Sequence, residues 1–249
     1  MKKHLASAIQ AYLIRSDRES FYPKAALIDM DGVLYDSMPY HTAAWHRMMT
    51  ELGVKCSQEE FYLYEGMTGR ATIRLLFQRN FGKNVSDEEC ERLYNIKSDY
   101  FNSFGKRIPM PGAYKMLAEL KNSGIKRVLV TGSGQKSLIG TINSDFPEMF
   151  DDDKRVTAND VMHGKPDPEP YLKGLEKAGV NPYDAIVIEN APLGVEAGHK
   201  AGCFVIAVNS GPINAETLSE AGADIIFDSM EEMAAQLPEF LELCRQIHR

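Results

Sequence analysis

The segment that most constrains this chain is Ala25-Ala26-Leu27-Ile28, which runs directly into Asp29-Met30-Asp31-Gly32. Four consecutive apolar residues read as a short strand buried on both faces, and the glycine behind the two carboxylates reads as a turn. Side chains two apart leave a strand on the same side. Asp29 and Asp31 are therefore expected to face one pocket at the carboxyl edge of a sheet, where open α/β folds hold their ligands. Two carboxylates crowded there repel unless a cation or a proton intervenes. In an acidic chain such a triplet also arises by composition alone. The second example, Asp151-Asp152-Asp153, has no apolar strand before it and reads as a solvated loop.

At 249 residues the chain accommodates one large α/β domain, or a core domain carrying a smaller insertion. Its net charge of −7 argues against nucleic acid or an anionic membrane as the main partner, since both reward a basic face. Cys56, Cys90, Cys203 and Cys244 are scattered, with no C-x-x-C spacing, which reads as reduced thiols in a cytoplasmic protein and argues against zinc. The start is basic, but Gln10, Arg15, Asp17, Arg18 and Glu19 interrupt the next twenty residues, so neither a secretory leader nor a membrane span is expected. Leu5, Ile9, Tyr12 and Leu13 recur at helical spacing, predicting an amphipathic helix packed on the outside of the domain.

After Asp36 the pattern changes from strand to helix. Residues 38–104 contain no alternating strand, but they hold two capping boxes, Ser57-Gln58-Glu59-Glu60 and Ser86-Asp87-Glu88-Glu89, each expected to open a helical run. Pro109 and Pro111-Gly112 close this helical stretch. Beyond it helices near 113–122, 135–143, 169–178 and 192–201 alternate with strands at 128–131, 155–158, 185–188, 204–208 and 224–226. Such alternation predicts an α/β fold, a Rossmann-like parallel sheet with helices on both faces. The helical stretch is then an insertion between the first strand and the rest.

Three further strand ends carry chemistry. Val128-Leu129-Val130 delivers Thr131 and then Gly132-Ser133-Gly134, a hydroxyl and a loop free of bulky side chains before a helix, which suits a phosphate. The glycine spacing is not that of a dinucleotide site. His163-Gly164-Lys165-Pro166-Asp167-Pro168 holds a lysine in a stiff, proline-bracketed turn. Val187-Ile188-Glu189-Asn190 puts two oxygen donors at the sheet edge, the kind of ligand that Mg²⁺ takes alongside substrate phosphate.

In order and position these segments resemble the haloacid dehalogenase superfamily, in its β-phosphoglucomutase-like branch, over about residues 24–230. The motifs are Asp29-Met30-Asp31-Gly32-Val33, Thr131, Lys165 and Glu189-Asn190, and the insertion falls where that branch carries a helical cap. The resemblance implies a core of residues 1–37 and 109–249 and a cap of 38–108. It implies Asp29 as nucleophile, forming an aspartyl phosphate, and Asp31 as general acid and base with a pKa raised toward working pH. Thr131, with Gly132 and Ser133, would bind the phosphoryl oxygens, and Lys165 would neutralise them. Mg²⁺ would take Asp29, the carbonyl of Asp31, Glu189 and Asn190.

In the cap, the resemblance places His41 near the general acid and Lys97 at a distal phosphate, while Trp45, His46, Tyr62 and Tyr64 read as helix packing. The cap loop Tyr64-Glu65-Gly66-Met67-Thr68-Gly69-Arg70 departs from the sugar-phosphate mutases, which carry more positive charge there. With Glu-Asn-Ala-Pro, it is similar to inorganic pyrophosphatases of the branch. Glu65 is then expected to reach the metal on closure, supplying the charge that the neutral Asn190 lacks. The expected activity is Mg²⁺-dependent hydrolysis of a small phosphate substrate, pyrophosphate first. A β-phosphoglucomutase or hexose-phosphate phosphatase is the alternative, and an inactive binding module the second alternative.

Overall fold

The computed structural model describes residues 2–105, 107–134, 136–151 and 153–249, those at 136–139 by their backbone alone. Met1, Lys106, Gln135 and Asp152 lie outside the described residues. The elements run α1 (Lys2–Arg15), β1 (Ala25–Ile28), α2 (Met38–Glu51), α3 (Glu60–Leu63), α4 (Gly69–Phe81) and α5 (Asp87–Ser103). They continue with α6 (Ala113–Asn122), β2 (Lys126–Val130), α7 (Lys136–Asp145), β3 (Arg155–Val156), α8 (Glu169–Ala178) and β4 (Ala185–Glu189). The last are α9 (Pro192–Lys200), β5 (Phe204–Val208), α10 (Ala215–Glu220), β6 (Ile225–Phe227) and α11 (Met230–Gln246).

The strands form one parallel sheet in the order β3-β2-β1-β4-β5-β6, with Leu27 of β1 in register with Val128 on one side and Val187 on the other. Helices cover both faces, which is why the central strands read as unbroken apolar runs rather than alternating ones. Ala26, Ile28, Leu129 and Ile186 face one cluster with α1, α6 and α11. Leu27, Val128, Val130 and Val187 face the other, with Tyr171 and Leu175 of α8 and Val195 of α9. Strand order reverses between β1 and β4, so the end of β1 opens on the switch point where such sheets take ligands.

Helices α2 to α5 gather around their own apolar cluster, which includes Met48, Met49, Phe61, Ile73, Leu76 and Leu93. The first capping box forms on both sides: Glu60 N–H donates to Ser57 Oγ at 3.3 Å and Ser57 N–H to Glu60 Oε1 at 3.1 Å. The helix it opens lasts a single turn, shorter than expected. At Ser86 only half the box forms, because the Glu89 carboxylate pairs with Arg92 instead. The chain leaves and re-enters the core side by side: Asp36 N–H donates to Ile108 O at 3.0 Å, and Met110 N–H to Leu34 O at 2.8 Å.

Helix α1 packs on the outside as its pattern predicts, burying Leu5, Ile9, Tyr12 and Leu13. Tyr12 meets Phe21 and Phe204 edge-on, at 4.9 and 5.2 Å between ring centres. Asp151 and Asp153 are exposed. Tyr62 differs from expectation. Phe61 turns into the cluster of α2 to α5, so its neighbour points away from it and packs against the sheet side near Gly211. The four cysteines are free thiols, and no described helix is long and apolar enough to cross a membrane.

Candidate active site

The carboxyl ends of β1, β2 and β4 bring Asp29, Thr131 and Glu189 together. Asp29 N–H bonds Ile188 O and Thr131 N–H bonds Val156 O, so the ladder holds both backbones one residue beyond their strands. Lys165 enters from the turn before α8 and is 2% exposed. Its ammonium donates to Asp29 Oδ1 and Glu189 Oε1, both at 2.5 Å, and to Val130 O at 3.2 Å. Burial pushes the Asp29 carboxyl up to about 8 even against Lys165, with Glu189 and Asp31 adding to the rise.

Glu189, expected among the metal ligands, accepts from four donors of the protein. Oε1 takes Lys165 and the Tyr171 hydroxyl at 2.7 Å, while Oε2 takes the N–H groups of Asn190 and Ala191 at 2.9 and 3.2 Å. Both oxygens are engaged by the protein, so Glu189 orients Lys165. A Cβ on Gly194 would stand 1.8 Å from Glu189 Oε1, so only glycine fits there.

Asp31 Oδ1 accepts from Ser37 Oγ at 2.6 Å and meets His41 Nε2 at 3.0 Å. His41 Nδ1 in turn meets the Lys97 ammonium at 2.6 Å, and the imidazole stacks on Phe101. Burial alone would raise the Asp31 carboxyl, but His41, Ser37 and Lys97 outweigh it and hold the group below its ordinary value. This corrects the expected raised pKa for the substrate-free site, where donors converge on one oxygen. An anionic substrate beside Asp31 pushes the other way.

The loop after α3 lies directly on the core. Gly66 has φ +91°, and a Cβ there would come within 2.9 Å of the Lys165 stem. A Cβ on Gly132 would stand 2.4 Å from Gly66 O. Glu65 is thereby buried in the site, its Oε1 accepting from Asn190 Nδ2 at 2.9 Å. Burial, with Asp29 next, pushes its carboxyl well above the usual range. Arg70, next to the cap loop's Gly69, is exposed and pairs with Asp87 at 3.1 Å. Ser133 N–H donates to Thr131 Oγ1 at 3.0 Å, and Thr131, Gly132 and Ser133 all border the cavity.

That cavity measures about 60 Å³ and is bordered by Asp29, Asp31, His41, Glu65, Lys97 and Thr131 among others. Trp45, Tyr64 and Tyr94 also border it; helix packing is the expected role of the first two, and no motif marks Tyr94. Tyr171 and Ser37 are likewise unmarked, because neither a helical tyrosine nor a serine before a helix stands out in sequence. Among the described residues no three His, Cys, Asp or Glu side chains form a ready metal cage. The donors nevertheless fit Mg²⁺. Glu65 Oε2 and Asn190 Oδ1 are buried without a partner, beside Asp29, and Mg²⁺ favours one or two carboxylates completed by neutral oxygens and phosphate.

A parallel sheet with an aspartate pair at its switch point, a buried lysine between carboxylates and a helical roof defines an enzyme that moves phosphoryl groups. The profile of the haloacid dehalogenase-like hydrolases matches residues 26–208, and the chain belongs to that family. It is 32% identical over 215 residues to hexitol phosphatase A of Escherichia coli, covering 84% of this chain and 93% of that one. It is 27% identical over 222 residues to β-phosphoglucomutase of Bacillus subtilis, covering 86% and 93%. Among solved structures, a Bacteroides vulgatus protein named as a candidate β-phosphoglucomutase superposes with a TM-score of 0.95 at 43% identity, covering 99% of this chain and 100% of its own.

Proposed function

We propose that this enzyme is a cytoplasmic, Mg²⁺-dependent phosphohydrolase that works through an aspartyl phosphate on a compact substrate, with inorganic pyrophosphate the best fit. Residues 38–108 act as a cap over a core of 1–37 and 109–249. Asp29 attacks phosphorus, and the bond to the leaving oxygen breaks as Asp31 gives that oxygen a proton. A water then attacks the aspartyl phosphate, Asp31 takes its proton, and phosphate leaves with Asp29 restored. Thr131 and the Gly132 backbone hold the phosphoryl oxygens, and Lys165 offsets the charge on Asp29. At 4 Å a unit-charge pair is worth about 1 kcal/mol in water and about 4 at an effective dielectric of 20, so exclusion of water by the cap strengthens that compensation. Lys97 supplies positive charge on the leaving-group side, and His41, kept neutral by burial and by Lys97, links it to Asp31. Asp29, the Asp31 carbonyl, Glu189 and Asn190, with Glu65 from the cap, would hold Mg²⁺, which when bound neutralises and orients the phosphoryl group.

The observation that carries the compact-substrate reading is Glu65: a cap carboxylate buried in the site, with one oxygen lacking any partner. The small cavity it borders, about 60 Å³, agrees with a compact substrate. The names of the relatives favour the second reading, a phosphatase or mutase for sugar or polyol phosphates. A substrate panel with Mg²⁺ separates the two. We expect kcat/KM to be highest for pyrophosphate and conversion of β-glucose 1-phosphate to glucose 6-phosphate to be absent; brisk conversion overturns the hydrolase reading. Glu65→Gln is expected to weaken Mg²⁺ binding in the substrate complex, shifting the Mg²⁺ titration of the rate to higher concentration, and to lower kcat. Asp29→Asn should cost at least about a thousand-fold in kcat, roughly 4 kcal/mol.

A further inference from the structure

Arg107 stands where the chain returns to the core, next to Ile108, whose carbonyl accepts from Asp36 N–H. Its side chain is 6% exposed, yet Nε and Nη1 have no partner among the described residues, and Nη2 donates to the Phe101 carbonyl. Two rings hold the guanidinium instead. Its carbon lies 4.3 Å from the centre of the Tyr40 ring on α2 and 4.2 Å from that of Phe101 on α5. Phe101 also stacks on His41, 4.0 Å between ring centres and 26° between planes. Lys97 and Phe101 are four residues apart on α5 and share a face, so one reaches His41 Nδ1 while the other supports the imidazole plane. Burying a guanidinium without a counter-ion is costly, and an apolar side chain would fill the same slot without that cost.

We propose that Arg107 is a positioning residue for proton delivery: it fixes the Phe101 ring, and that ring holds His41 in line with Asp31. Arg107 itself does not border the reaction chamber. A flat cation fits between two rings and, by bonding the Phe101 carbonyl, ties one of them to its own backbone; a flexible apolar chain in the slot would do neither. The plane of His41 needs that support. Its two nitrogens meet Asp31 and Lys97, contacts that fix an axis through the imidazole and leave rotation about it to the stack on Phe101. A tilted imidazole no longer directs the Asp31 carboxyl, so the step affected is proton transfer to the leaving oxygen and not attack by Asp29. The inference rests on Asp31 as general acid, and not on pyrophosphate as substrate.

The test uses leaving groups that differ in their need for a proton. Acetate leaves acetyl phosphate as a stable anion, whereas the phosphate released from pyrophosphate takes a proton from Asp31. With Mg²⁺ present, kcat/KM is measured for both substrates in the wild type, Arg107→Met, Phe101→Leu and the double variant. Each single variant is expected to lower the ratio of pyrophosphate to acetyl phosphate by at least about ten-fold. Both changes act through one ring, so the double variant should fall no more than about two-fold below the lower single. Arg107→Lys keeps the charge without the plane and should move the ratio in the same direction, which leaves a milder variant to decide if the others fail to fold. Activities that fall in parallel on the two substrates, a ratio that does not move, or losses that multiply in the double variant overturn the proposal. A wild type that leaves pyrophosphate uncleaved defeats the pyrophosphate reading alone; methyl phosphate, whose methoxide leaves only with a proton, then takes its place in the ratio.

Discussion

Lys165 is one ammonium between two buried carboxylates, and its removal tests how far the site depends on charge balance. Replacing it by methionine leaves Asp29 and Glu189 facing each other without a counter-charge, a change that typically costs about 3–5 kcal/mol. Urea unfolding of Lys165→Met should report that loss together with the loss of turnover, and Asp29→Asn on the same background should recover part of the stability. Lys97 gives a pH signature. Burial draws its ammonium down to about 7 from 10.5, with Asp31 pulling upward and Arg107 downward. Between those values the unfolded chain holds a proton that the folded chain has released. Stability therefore rises with pH from about 7 toward 10.5, and the cost of the buried charge is felt in full below 7. Lys97→Met should flatten the urea midpoint across that window and raise it on the acid side. Of the site, Asp29, Asp31, Thr131 and Lys165 were legible because each stands at a strand end or in a rigid turn. The bonding of Glu189 was not, since its partners Tyr171 and Lys165 come from segments more than fifteen residues away and meet it only in the folded sheet.

The elements that sequence reveals best are those whose burial is uniform. β1, β4 and β5 are buried throughout and read as apolar runs because helices cover both faces, and β2 does so over Val128–Val130 after a charged start at Lys126 and Arg127. β3 is only two residues long and α3 one turn, both shorter than their patterns suggest, because pairing at the sheet edge and the turn through Gly66 end them. Capping is the exception among short signals. Ser86 Oγ accepts from Glu89 N–H and so fixes the start of α5, the helix that carries Tyr94 and Lys97. Ser86→Ala should cost about 1 kcal/mol in thermal or urea unfolding, and kcat/KM should remain unchanged because Ser86 stands about two turns before Tyr94 and does not border the chamber.

Helix α1 precedes the region matched by the family, residues 26–208, yet it closes one face of the core against α11. Burying Leu5, Ile9 and Leu13 is worth about 1.5–3 kcal/mol each, a sum comparable to the roughly 5–15 kcal/mol by which a domain is stable. A chain lacking residues 1–20 should therefore unfold at a markedly lower temperature or fail to accumulate in soluble form, also losing the ion pair of Arg15 with Asp224. The paired crossing at Asp36 and Ile108 has a different consequence. Because the excursion begins and ends at neighbouring points, the entropy of closing it grows only with the logarithm of its length, and the parallel sheet is indifferent to what fills it. Such a core tolerates insertions of very different length at this crossing while the residues at its strand ends keep their places.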